Sequence, residues 1–263
     1  MALLSIQAVT QRFSGLTALD DVSFDVEAGD ILGLIGPNGA GKTTLINLIT
    51  GAFRPSSGDI VFDGRSIVGK KPYRIAREGI GRTFQQIRLF DHLSVVENVM
   101  VGFEPRLRSS YFAAMFGLRS VAFEDSATRA AALALLARGH GGLSAAPDKP
   151  AGALSYADKR RLEIVRALAL SPKLLLLDEP AAGMAQEEIH GLVADLGELR
   201  GQGITILLVE HKMRLIEGVC DKVVVLDYGR KIAEGPFDTV KRDRRVVEAY
   251  LGRGYADAGA AAG

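Results

Sequence analysis

Cysteine is nearly missing from this chain: Cys220 is the only one in 263 residues. An intrachain disulfide and a cysteine metal cluster are therefore excluded, and a reducing cytosol is the expected compartment. Net charge is nearly missing too, since 32 basic and 31 acidic side chains leave +1. General electrostatic attraction to nucleic acid is not expected from that balance, although it leaves room for a local basic patch. No stretch approaches the ~18 consecutive apolar residues of a membrane span. The densest runs, Leu174–Leu177 and Val223–Leu226, have only the length of strands. Met1–Ile6 has neither a charged n-region nor a cleavage site and does not read as a signal peptide. Any membrane role is expected to come through a partner. Internal repeats and heptad runs are also missing.

What is present suits one large domain or two small ones. Hydrophobic residues make up 48% of the chain, enough for a sizeable core, and charged residues make up 24%, an ordinary soluble surface. Three regions follow one another. Residues from about Leu3 to Phe84 read as strand-rich, with Leu3–Val9 and Val22–Val26 alternating as half-buried strands and Gly58–Phe62 as another. Within this region Ile31–Ile35 is a short apolar strand that ends in a glycine loop, and Lys42–Thr50 reads as a helix. From about Gln85 to Ser171 the pattern is helical, clearest at Val95–Val101 and Ala127–Ala137. Glu104–Glu124 mixes arginines with aromatics and reads as a packed helix, with a partner-facing insertion as the other option. From Pro172 to about Gly235 strands alternate with helices, which implies a parallel sheet covered on both faces. Arg244–Leu251 reads as a closing helix. Lys241–Arg245 is a basic cluster that reads as a solvated helix start rather than a phosphate contact.

The glycine loop is Gly36-Pro37-Asn38-Gly39-Ala40-Gly41-Lys42-Thr43, followed by Thr44. This is the full pattern of a phosphate-binding P-loop, placed between an apolar strand and an amphipathic helix. Its glycines let backbone N–H groups turn toward phosphate oxygens, and the helix presents its positive end to the same anion. Lys42 is expected to reach the β and γ phosphates, and the Thr43 hydroxyl to ligate Mg²⁺. ATP and Mg²⁺ are the expected ligands. Leu174-Leu175-Leu176-Leu177-Asp178-Glu179-Pro180 is a buried strand ending in two carboxylates. Asp178 is expected to hold Mg²⁺ through its water shell. Glu179, pointing to the opposite side of the strand end, is expected to act as general base toward the attacking water.

These motifs, with four more in fixed order, resemble the ATP-binding subunit of ABC transporters over roughly Leu3 to Gly252. The resemblance implies an α/β P-loop NTPase fold of the ABC ATPase type, with a parallel core sheet, an antiparallel β subdomain and a helical subdomain. It implies a single domain over residues 1–252, a helical subdomain at about 86–171, and an Ala/Gly-rich tail at 253–263 that reads as disordered. It places Phe13 on the adenine, although a core position is the competing reading. It makes Gln85 a Mg²⁺ and membrane-subunit sensor, with Gln86 an adjacent competitor, and His211 a γ-phosphate contact. Lys42, Glu179 and His211 form the implied catalytic set. Thr43, Gln85 and Asp178 form the implied metal set.

The family's signature segment, usually L-S-G-G-Q, reads Leu154-Ser155-Tyr156-Ala157-Asp158 here. It is implied to sit at a helix N-terminus and to close on ATP bound by the other subunit, with Ser155 and Ala157 as contacts. Ser155 and Asp158 keep capping-box spacing. Ala157 adds a methyl group and tolerates positive φ poorly, and Asp158 puts a carboxylate near an anion. Reduced catalysis at the site using this signature is therefore expected, to be relieved by Ala157→Gly with Asp158→Gln. Ala185 stands where the family usually has Asp or Asn, which bears on communication between the two sites.

Gly81–Phe90, Leu162–Leu168, Asp178–Gly183 and Ala249–Gly252 look like the LivG-type subunit of branched-chain amino acid importers. Implied partners are two integral membrane permeases, a second ATPase subunit (a LivF-type chain or a second copy), and indirectly a periplasmic solute-binding protein, with no nucleic acid. The implied location is the cytoplasmic face of the inner membrane. Urea or amide importers and a lipopolysaccharide-type exporter share much of the pattern. A soluble, non-transport ABC ATPase is a more distant alternative.

Overall fold

The computed structural model describes residues 2–103, 119–138 and 142–251. Most of the uncertain stretch Glu104–Glu124, and the tail after Leu251, lie outside them. Two sheets organise the fold. A four-stranded antiparallel sheet runs in the order β2-β1-β4-β5, from Ala2–Phe13 (β1), Leu16–Glu27 (β2), Ser57–Phe62 (β4) and Arg65–Ser66 (β5). A six-stranded sheet runs β10-β9-β3-β8-β7-β6. Its strands are Ile31–Ile35 (β3), Ile80–Arg82 (β6), Leu174–Asp178 (β7), Thr205–Val209 (β8), Lys222–Asp227 (β9) and Arg230–Gly235 (β10).

The helices are Lys42–Ile49 (α1), Pro72–Glu78 (α2), Val95–Phe103 (α3), Arg119–Arg138 (α4) and Tyr156–Leu168 (α5). They continue with Gln186–Gly201 (α6), Met213–Val219 (α7), Phe237–Val240 (α8) and Arg244–Leu251 (α9).

The six-stranded sheet explains why its strands read as unbroken apolar runs. Alternate side chains go to opposite faces. Leu32, Leu34, Leu174, Leu176, Leu207, Val224 and Leu226 join one buried cluster, with α1 and the antiparallel sheet. Ile31, Ile35, Leu175, Leu177, Ile206, Leu208, Val223 and Val225 join another, with α6 and α7. A third cluster, Val95, Val96, Val99, Ala132, Leu136, Leu162 and Val165, packs α3, α4 and α5 on one another.

Two expectations need correction. The sheet is not wholly parallel: β10 runs antiparallel to β9. Its residues Arg230, Lys231 and Glu234 disguised it, since charges blunt an edge strand. The first strand also runs past Val9 to Phe13. Ala8 has φ 48 and the pairing register shifts between Ile6 and Val9, so a bulge breaks the alternation midway. The register of the core sheet aligns Leu34 and Asp178 with the same residue, Val209. The C-terminal ends of β3, β7 and β8 thus form one edge, where ligand sites of parallel α/β sheets collect.

Candidate functional site

The loop from Gly36 to Gly41 leaves β3 at this edge. A Cβ on Gly36, at φ 149, would lie 2.1 Å from the Leu226 carbonyl oxygen, and one on Gly41, at φ 103, would lie 2.7 Å from that of Ala18. Glycine at both ends is therefore a steric requirement as well as a conformational one. The Ala40 N–H bonds Pro37 O, and Ala40 O accepts from the Gly229 N–H. Gly41, the N-cap of α1, offers no side-chain cap, so the first amides of the helix are left for an anion. Asn38, Gly39 and Thr43 are exposed, Pro37 and Thr44 half-buried. Lys42 is 8% exposed, and its ammonium donates to Gly36 O at 2.6 Å and Pro37 O at 2.9 Å. Burial holds its pKa below the ordinary lysine value, while the carboxylates of Glu179 and Asp178 pull it back up.

Both carboxylates end β7 but meet different surroundings. Asp178 is 3% exposed, with Arg82 Nη2 3.5 Å from its Oδ2. Burial raises its pKa, against the pull of Arg82. Arg82 also donates to Asn47 of α1 and to its C-cap Thr50, so β6 tethers the helix of the phosphate loop. Glu179 diverges from Asp178 by a left-handed backbone turn, φ 50, rather than by continued strand alternation. Its Oε2 accepts from Gln85 Nε2 at 3.1 Å, and its Oε1 lies 3.8 Å from His211 Nδ1. Gln85, Glu179 and His211 are thus assembled from three separate segments, and it is Gln85, not Gln86, that bonds Glu179.

Sequence reasoning missed the residue that holds this group. Glu210, fully buried, accepts from the Ala181 N–H through one oxygen and from the His211 and Lys212 N–H groups through the other. It pins the loop after β8 to the turn after Glu179. A carboxylate directly after an apolar strand was the available signal. Tyr250 of α9 was missed as well. Its phenol lies beside the Gly36 backbone, and partial burial (the residue is 37% exposed) pushes its pKa up.

Phe13 is 39% exposed, against the core reading, and meets Phe53 edge-on at 5.7 Å. Ser155 and Ala157 stand apart. Ser155 caps α5: its hydroxyl accepts from the Asp158 N–H at 3.1 Å and donates to the Asp158 carboxylate at 2.8 Å. Ala157 lies in the helix, outside the residues of positive φ, and is 2% exposed. The expected backbone conflict at Ala157 therefore does not arise, because the helix needs no left-handed residue there. Asp158 is also engaged by Arg161 Nη1 at 3.5 Å. Ala185 caps α6 without a side-chain acceptor, and the Glu188 carboxylate accepts its N–H at 2.8 Å. In the basic cluster, Lys241 pairs with Asp238 and Glu217, Arg244 with Glu248 and Arg245 with Asp243, as a solvated face would.

A mostly apolar groove of about 490 Å³ opens beside Gln85, lined among others by Ile75, Phe84, Val101 and Arg166. Among the described residues, no helix is long and apolar enough to cross a membrane, and no cluster of three or more His, Cys, Asp or Glu could hold a metal by itself. Mg²⁺ carried by a nucleotide uses one or two carboxylates and the phosphate oxygens. Thr43 and Asp178, hard oxygen donors beside an anion-binding loop, fit that ion.

A family model described as "ABC transporter" matches residues 19–182, and one described as "Branched-chain amino acid ATP-binding cassette transporter" matches 230–256. The chain is 38% identical over 251 residues to the high-affinity branched-chain amino acid transport ATP-binding protein BraF of Pseudomonas aeruginosa, covering 95% of this chain and 98% of that one. LivG of Escherichia coli K12, a protein of the same description, matches with the same identity and coverage. A crystal structure of a nucleotide-free ATP-binding cassette from an ABC transporter superposes with a TM-score of 0.82 at 34% identity, over 96% of this chain and all of that one.

Proposed function

The chain belongs to the ATP-binding proteins of ABC transporters, within the branched-chain amino acid family, and from that premise we propose that it powers an importer of branched-chain, hydrophobic amino acids. It does so as one ATPase domain over 1–252, with a helical subdomain at about 86–171. The observation that carries the reading is the meeting of Gln85, Glu179 and His211 at the sheet edge that bears the P-loop.

The reaction follows from these positions. The amides of Asn38–Thr43, with Thr44, bind the phosphates of ATP, and Lys42 neutralises the β and γ groups. Phe13 offers its exposed ring to the adenine. Thr43, Asp178 and Gln85 would hold Mg²⁺, which would supply charge neutralisation at the phosphates. Glu179 accepts the proton of water as its oxygen bonds the γ phosphorus and the bond to the β-phosphate oxygen breaks, leaving ADP and phosphate. His211 bonds a γ oxygen. Ser155 and the backbone at Ala157 close on ATP held by the other ATPase subunit.

Two permeases are the proposed partners, one seating a cytoplasmic segment in the groove near Gln85 and the other in the matching groove of the second ATPase. The second ATPase is a LivF-type chain or a second copy, and a periplasmic binding protein delivers the solute. The chain works at the cytoplasmic face of the inner membrane. Co-purification from the native membrane tests this. Two permeases with a second ATPase, and leucine uptake lost on deletion, are expected. A lipid-export partner overturns it.

A further inference from the structure

Arg160 is the bulkiest fully buried side chain among the described residues. Burying a guanidinium is costly unless its donors are met. Here Nη1 and Nη2 are met, mostly by main chain, while the buried Nε has no partner. Nη1 donates to Phe84 O at 2.6 Å and to Glu163 Oε2 at 2.8 Å, and Nη2 donates to Gln85 O at 2.7 Å. Glu163, 1% exposed, turns its other oxygen toward the N–H groups of Phe84 at 3.5 Å and Arg88 at 3.4 Å. A single ion pair on α5 therefore grips the carbonyl and amide sides of the segment that carries Gln85. That side chain bonds Glu179. At the start of the same helix stands Ser155, and between them Tyr156, whose hydroxyl is 3.5 Å from Arg160 Nη2. Tyr156 packs against Gly183, in the turn that follows Glu179: a Cβ on that glycine would lie 3.0 Å from the ring.

We infer that Arg160 is a positioning residue for hydrolysis: it sets the Gln85 main chain, and through it the Glu179 carboxylate, according to where α5 stands. The inference rests on the proposed roles of Glu179 and Gln85. Stability alone does not account for the pair, since well-packed apolar residues replace buried ion pairs at no loss in many proteins. The geometry also asks for arginine. A planar fork spans the carbonyls of two successive residues, and a lysine ammonium is a point charge that cannot hold both in one plane. When the first turn of α5 docks on the partner's nucleotide, the displacement reaches Glu179 through contacts of 3.1 Å or less.

The test is steady-state ATP hydrolysis by the transporter co-purified from its native membrane. Wild type is compared with Glu179→Gln, Arg160→Lys, and the double variant Arg160→Met with Glu163→Leu. Arg160→Lys is expected to lower kcat about tenfold or more while KM for ATP stays within about twofold, as a misplaced catalytic group does. The apolar double variant is expected to keep the thermal midpoint and ATP binding without recovering kcat. Wild-type kcat in either variant overturns the inference. If Glu179→Gln also keeps wild-type turnover, the site reading itself has failed. If Glu179→Gln is inactive and the Arg160 variants are not, this inference alone has failed.

Discussion

The phosphate loop and the start of α5, the two proposed halves of a hydrolytic site, are built in opposite ways. Gly36–Thr43 is one contiguous segment whose chemistry comes from backbone amides and one lysine, with its shape enforced by glycines at Gly36 and Gly41. The α5 half is a tertiary assembly. Ser155 caps the helix, while Arg160 reaches Phe84 and Gln85, 76 and 75 positions away in the chain, and Glu163 reaches Phe84 and Arg88, 79 and 75 away. A local motif survives changes elsewhere. An assembly fails when any one of its segments moves, and that makes the α5 half the natural place to couple hydrolysis to the position of a partner.

Substitutions that separate binding from chemistry test this contrast most strongly. Glu179→Gln should lower ATP turnover by about 10²–10⁴-fold, the usual worth of a general base, while ATP still binds. Phosphate release and equilibrium nucleotide binding on the same preparation check both halves of the statement. Lys42→Met should do the reverse and weaken ATP binding. The loss of charge-assisted bonds amounts to about 1.5–3 kcal/mol, or roughly 10–100-fold in Kd, read by titration with a fluorescent nucleotide.

At the first turn of α5 two substitutions are also read on stability. Ser155→Ala removes the cap of α5 and should cost about 1 kcal/mol, read by denaturant unfolding. Ala157→Gly should cost about 0.5–1 kcal/mol and should not by itself raise ATPase activity, because a helical, buried alanine has no strain to release. A rise in activity would restore the expected backbone conflict. The smallest effect is expected far from both halves. Lys173 and Asp63 pair at 2.6 Å, but both are 56% exposed, so Lys173→Ala should change stability by less than about 1 kcal/mol.

Much of the fold was legible because its signals are local. The strand Thr205–Val209 and the helix Arg244–Leu251 stand where their apolar patterns put them. β6 was not legible, since three residues carry no period and only its pairing with β7 makes it a strand. The placement of Glu179 was half legible. Its identity followed from the strand end, but its direction came from a left-handed turn that no alternation pattern foretells. Ala157 shows the converse, a family departure that suggested strain where the helix imposes none.

By itself the sequence determined the phosphate loop, the two carboxylates at the end of β7 and the two-faced core strands. Each depends on neighbours along the chain: glycines that allow positive φ, an apolar run of strand length, a lysine at a fixed spacing. Only the tertiary structure decided that Gln85, not Gln86, bonds Glu179, that Glu210 pins the His211 loop, and that Arg160 holds the Gln85 main chain. Those partners are backbone groups and side chains from distant segments. A carbonyl oxygen is the same at every residue, so nothing in the order of side chains marks which one a buried charge will find.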